Sequence, residues 1–80
     1  MTPDELINEY KKEILRVYGT ERLNRSEFYF YGGWYYINLA RKSYDGKYGL
    51  WSLPNCVRRK ELVKMISEFA DRQSFDETNA

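Results

Sequence analysis

Histidine is missing from all 80 residues, and with it the usual general base near neutral pH and the commonest metal ligand. A single cysteine, Cys56, excludes an internal disulfide, and no paired Cys/His spacing suggests a structural metal. Cys56 reads as a small buried or half-buried thiol in a reducing cytoplasm. No apolar run approaches the ~20 residues needed to span a bilayer, and no signal-peptide layout opens the chain. A soluble cytoplasmic protein without a membrane partner is expected. Charge of neither sign dominates: 13 basic residues face 12 acidic ones, so the whole-chain charge suggests no partner. The glycines offer no phosphate loop, because Gly32-Gly33 lies between two strand-like runs rather than before a helix. The carboxylates fall mainly on helix surfaces, and none is paired beside a plausible nucleophile. These absences predict a protein that is no enzyme, with no cofactor and no small-molecule substrate.

Aromatic residues are abundant, at 18% of the chain with eight tyrosines. They concentrate in residues 28–53, FYFYGGWYYINLARKSYDGKYGLWSL, which read as a three-stranded antiparallel meander. Gly32-Gly33 signals a two-residue type I′ turn, since both central positions need positive φ. Tyr31 then faces Trp34, Phe30 faces Tyr35, Tyr29 faces Tyr36 and Phe28 faces Ile37. Period-2 alternation puts Phe28, Phe30, Tyr35, Ile37 and Leu39 on one face. The other face takes Tyr29, Tyr31, Trp34, Tyr36, Asn38 and Ala40. The second turn reads as a three-residue loop, Tyr44-Asp45-Gly46, with Gly46 left-handed. A two-residue Asp-Gly turn would flip the third strand. The longer loop keeps Leu39 opposite Trp51 and Ile37 opposite Leu53, and adds Lys42, Tyr48, Leu50 and Ser52 to the tyrosine face.

Before the meander, Thr2-Pro3-Asp4-Glu5 is a helix start, with Thr2 as N-cap, Pro3 in the first turn and Glu5 closing a capping box. Leu6, Ile7, Tyr10, Ile14, Val17 and Tyr18 form an apolar stripe at helical spacing, and Gly19 is a natural C-cap. Glu5, Glu9, Lys12, Glu13 and Arg16 read as a solvated opposite face. Residues 20–26 read as a polar connector. Pro54-Asn55 reads as a break after the sheet, followed by a helix over residues 58–73. The wider stripe of that helix (Leu62, Val63, Met65, Ile66, Phe69, Ala70) predicts the deeper packing of the two. Residues 74–80 read as a flexible tail on a single domain over residues 1–73. The fold class is therefore α+β, of order α-β-β-β-α, with two helices flanking the meander.

Tyr29, Tyr31, Trp34, Tyr36 and Tyr48 could together present roughly 700–1,200 Å², against about 300–600 Å² for the largest patch on a typical monomer. Either one helix covers each side of the sheet, or both helices share the Phe28/Ile37/Trp51 face and leave the tyrosines for a partner. Tyrosine suits the second arrangement, because its hydroxyl tolerates water while its ring supplies contact area. The reading that follows is a protein-binding module whose tyrosine face takes another protein or a second copy of the chain. Its size suits a small regulatory or inhibitory protein, for instance of phage or mobile-element type.

Residues 41–64 carry seven basic side chains (Arg41, Lys42, Lys47, Arg58, Arg59, Lys60, Lys64) against Asp45 and Glu61, a local charge of +5. Cations at a helix N-terminus oppose the helix dipole, which hints at an anionic partner. Gly33-Trp34-Tyr35-Tyr36, Asp45-Gly46-Lys47 and Arg59-Lys60-Glu61-Leu62 resemble, in outline, the three-stranded sheet and C-terminal helix of the arm-binding domains of tyrosine-recombinase integrases. The resemblance spans residues 33–70. It implies a sheet lying in the DNA major groove, with Arg41, Lys42 and Lys47 at the contact. The added N-terminal helix and near-neutral charge depart from that pattern. Nucleic-acid binding through Arg41, Lys42, Lys47, Arg58, Arg59 and Lys60 is thus the alternative function.

Overall fold

A computed structural model describes residues 1–71. Helix α1 (Pro3–Tyr18) starts as its sequence predicts: the Glu5 amide donates to Thr2 Oγ1 at 3.2 Å, and the Thr2 hydroxyl donates to Glu5 Oε1 at 3.1 Å. Gly19, at φ 91°, ends the helix with its amide on the Leu15 carbonyl. The supposed connector then forms a short helix, α2 (Thr20–Arg25). Strands β1 (Glu27–Tyr31) and β2 (Trp34–Asn38) make the expected hairpin in the expected register. Gly32 and Gly33 supply φ values of 59° and 81°, as a type I′ turn requires.

Beyond β2 the register departs from expectation. The segment after Leu39 does not pair with β2. It folds into a separate two-stranded ribbon of β3 (Arg41–Lys42) and β4 (Tyr48–Gly49). Its turn is the three-residue loop read from the sequence, with Gly46 at φ 87° and the Ser43 amide bonded to the Lys47 carbonyl at 2.9 Å. The third strand of the main sheet is β5 (Asn55–Val57), which pairs Ile37 with Asn55, Tyr36 with Cys56 and Tyr35 with Val57. The sheet order β1-β2-β5 is antiparallel and flanked by helices at both ends, an α+β arrangement. Trp51 and Leu53 are therefore not core partners of Leu39 and Ile37, and both are exposed. The Trp51 ring folds back over Gly49, which has no Cβ to obstruct it, and its Nε1 donates to the Arg41 carbonyl at 3.1 Å. The ribbon ends at Gly49. The chain then crosses to Pro54, with the Asn38 side chain donating to the Ser52 carbonyl on the way.

Helix α3 (Arg59–Ala70) follows, ending at Ala70 with Asp71 as its cap. The tail expected at residues 74–80 and the domain end expected at residue 73 lie outside the described residues. Both long helices contribute to one core with the inner sheet face: Leu6, Ile7, Tyr10 and Ile14 from α1, Tyr35 and Ile37 from β2, Leu62 and Phe69 from α3. The depth of packing is the reverse of that expected. Four α1 residues are buried against two of α3, and Val63 is exposed. The Tyr10 ring explains this, because it meets Phe28 edge-on at 5.6 Å and Phe69 at 5.7 Å, so α1 packs against both β1 and α3. The solvated face of α1 is also more committed than read. Lys12 pairs with Glu9, and Arg16 pairs with Glu13 while donating to the Phe69 carbonyl in the last turn of α3.

Candidate interaction face of the sheet

The hairpin register that sends Phe28, Tyr35 and Ile37 inward sends Tyr29, Tyr31, Trp34 and Tyr36 out the other side. Neither α1 nor α3 covers that side, because both pack with the inner residues. Tyr31 is 75% exposed and Tyr29 46%, while Trp34 and Tyr36 are half-buried by their neighbours. Tyr29 and Tyr36, directly opposite across the ladder, stack at 4.7 Å with an interplanar angle of 11°. One flat face of each ring is spent on the other, leaving the remaining ring surface and the hydroxyls to be offered outward. Trp34 is similarly engaged: the Arg58 guanidinium lies 3.8 Å from its ring centre and donates to the Gly33 carbonyl at 3.1 Å.

Cys56 belongs to this face as the cross-strand neighbour of Tyr36. It is an exposed free thiol rather than a buried one, on a strand at the edge of the described sheet. The Tyr36 phenol is held above its ordinary pKa, first by desolvation, then by the negative charge that Cys56 and Tyr29 would carry beside it. Tyr48, counted with the tyrosine face from sequence, is elsewhere. It lies in the β3–β4 ribbon opposite Lys42, whose ammonium is 5.7 Å from its ring.

The basic residues do not form one patch. Arg41, Lys42 and Lys47 belong to the ribbon, beyond the Asn38 end of β2, whereas Arg58, Arg59 and Lys60 follow β5 at the Trp34 end. All six are exposed. In the ribbon turn, the Asp45 carboxyl is held below its usual range, mainly by the Ser43 hydroxyl and then by the Lys47 amide. That network shapes the loop. Among the described residues, no cluster of three or more His, Cys, Asp or Glu could hold a metal, and no helix is long and apolar enough to cross a membrane. No family model, curated protein or solved structure matches this chain.

Sequence reasoning missed Cys56 and Arg58 as members of the face. The signal available for Cys56 was the short pair Cys56-Val57, with a β-branched residue after Pro54, but three residues are too few to establish a period. For Arg58, only the hairpin glycines hinted that a side chain could approach the turn backbone: a Cβ on Gly33 would stand 3.0 Å from the Arg58 guanidinium.

Proposed function

We propose that the chain is a non-enzymatic protein-binding module whose contact surface is the Tyr29/Tyr31/Trp34/Tyr36 face, with Cys56 and Arg58 at its border. One observation carries this reading: four large aromatic side chains leave the sheet on the side away from both long helices. Such anchors, amphipathic and poor in rotamer entropy, are what interface hot spots use. Partner side chains would pack on the remaining ring surface and bond to the phenol oxygens. The nucleic-acid alternative fits less well. Base stacking needs free ring faces, and one face each of Tyr29, Tyr36 and Trp34 is already taken, by the stacked tyrosine or by Arg58. The two basic groups at opposite ends of β2 also lack the continuity of a backbone-tracking groove.

The test places a photoreactive benzophenone side chain at Tyr31, and in a control at Leu15, which is exposed on α1. Protein adducts should form from position 31 only, and should be lost when Trp34→Ala is added or when Cys56 is capped with a bulky maleimide. Far-ultraviolet circular dichroism should stay that of a folded domain. Equal adducts from both positions would refute the reading. Gel shifts that appear at low salt, fade steeply as salt rises and disappear in Lys47→Ala or Arg59→Ala would establish the nucleic-acid alternative in its place.

A further inference from the structure

The outer edge of β1 is the second unpartnered surface. In the sheet order β1-β2-β5, no described strand pairs with that edge. A two-residue turn makes Tyr31 and Trp34 a hydrogen-bonded pair, so residues 27, 29 and 31 direct their backbone groups to β2. Phe28 and Phe30 therefore direct their amides and carbonyls outward. Natural edge strands are blunted by proline, bulges, brevity or charge. The three-residue β5 edge is short and follows Pro54. The β1 edge is five residues of Glu-Phe-Tyr-Phe-Tyr without a bulge or proline. Helix α1 flanks it along an open trough lined by Asp4, Ile7, Asn8 and Lys11 on the helix and by residues 28–30 on the strand.

The charges along this trough are self-complementary. Lys11 holds its ammonium 5.9 Å from the Phe28 ring centre, at the Glu27 end of the strand. Asp4 lies about two helical turns away, at the Phe30 end, since the neighbouring hollow lined by Lys11, Glu27 and Phe28 includes neither Asp4 nor Phe30. We propose that β1 pairs antiparallel with β1 of a second copy about a two-fold axis at Tyr29, joining two three-stranded sheets into one of six strands. That register pairs all five residues of the strand. Phe28 and Phe30 of each copy exchange hydrogen bonds, Tyr29 meets Tyr29, and Glu27 meets Tyr31. The same axis brings Asp4 of one copy toward Lys11 of the other, twice, with Asn8 between. It also places the two tyrosine faces side by side on one surface. This assembly uses an edge rather than the face, so it stands independently of the face reading.

Sedimentation velocity and native-state amide exchange test it. Twice the 9.7 kDa chain mass is expected, with the Phe28 and Phe30 amides protected in the dimer and fast-exchanging when dilution yields monomer. Lys11→Asp or Asp4→Lys alone sets like charges together at both symmetry-related contacts and should weaken association by roughly tenfold. Combining Asp4→Lys with Lys11→Asp should recover most of it, a rescue that a merely destabilised fold would not give. Capping Cys56, on the far edge strand, should leave this dimer intact even where it blocks the tyrosine face. A monomer at millimolar concentration with freely exchanging Phe28 and Phe30 amides would overturn the proposal. So would a dimer that ignores both charge changes and dissociates when Cys56 is capped.

Discussion

Gly33 and Arg58 show how two residues can set one end of the face. At φ 81° Gly33 occupies a conformation that costs an L-residue about 1–2 kcal/mol. A methyl group there would also press on the Arg58 guanidinium. Gly33→Ala should therefore lower unfolding stability in urea by at least about 1–2 kcal/mol. Arg58→Ala, which removes only the contacts to Trp34 and the Gly33 carbonyl, should cost about 0.5–1 kcal/mol. It should also shift Trp34 fluorescence. Tyr36 and Asp45 titrate away from their ordinary values, in opposite senses. Tyr36 holds its proton more tightly in the folded state, so its contribution to stability is complete below the ordinary tyrosine pKa. That contribution is lost as pH rises through the elevated folded value. Phenolate absorbance should show Tyr36 ionising later than a free tyrosine, and Tyr29→Phe should advance it, because the Tyr29 charge is one of the causes. Asp45, with a depressed value, stabilises the ribbon turn above the ordinary carboxyl range and releases it as pH falls through the lower folded value. Amide shifts of Gly46 and Lys47 should follow that acid limb.

Among the elements, local chemistry was readable where a few adjacent residues decide the conformation. The Thr2-Pro3-Glu5 start of α1, the Gly19 cap, the Gly32-Gly33 hairpin and the Gly46 loop are each dictated within about five residues, and each formed as read. The third strand was not readable, because its identity rests on a contest between two segments for the free edge of β2. Trp51 looked like a core residue on alternation alone. What removed it is a tertiary contact, its ring lying over Gly49 with Nε1 on the Arg41 carbonyl. The consequence is measurable. Trp51→Ala should cost under about 1.5 kcal/mol, the scale of one hydrogen bond and some exposed packing, whereas a core tryptophan would cost about 3–5 kcal/mol. Arg16 runs the other way. It looked solvated, yet it joins α1 to the last turn of α3 through the Phe69 carbonyl while paired with Glu13. Arg16→Met keeps the aliphatic stem and removes the donor, so a loss of about 1–3 kcal/mol is expected for a charged hydrogen bond. Amide exchange should quicken first at the C-terminal turn of α3.

For the whole molecule, the arrangement of layers decides what is left exposed. Two long helices on one face of a three-stranded sheet give a core of eight buried residues among those described, led by the fully buried Ile14 and Leu62. A single core in so short a chain supplies only about 3–5 kcal/mol of net stability. The opposite face and the β1 edge are the surfaces from which further stability can come. If association through β1 contributes, folding and dimerisation are linked, and the midpoint of thermal unfolding depends on protein concentration. In a predominantly dimeric sample the free protomer grows as the square root of total protein. Each tenfold rise in concentration then adds about 0.7 kcal/mol per protomer, or roughly 3–5 °C in a domain of this length. Lys11→Asp should flatten that dependence more than it lowers the midpoint at high dilution, because Lys11 lies outside the buried core. Leu62→Ala should do the opposite. It opens a cavity in the centre of the protomer at about 2–5 kcal/mol, lowering the midpoint at every concentration. Comparing the two variants across a dilution series separates the energy of the fold from the energy of its edge.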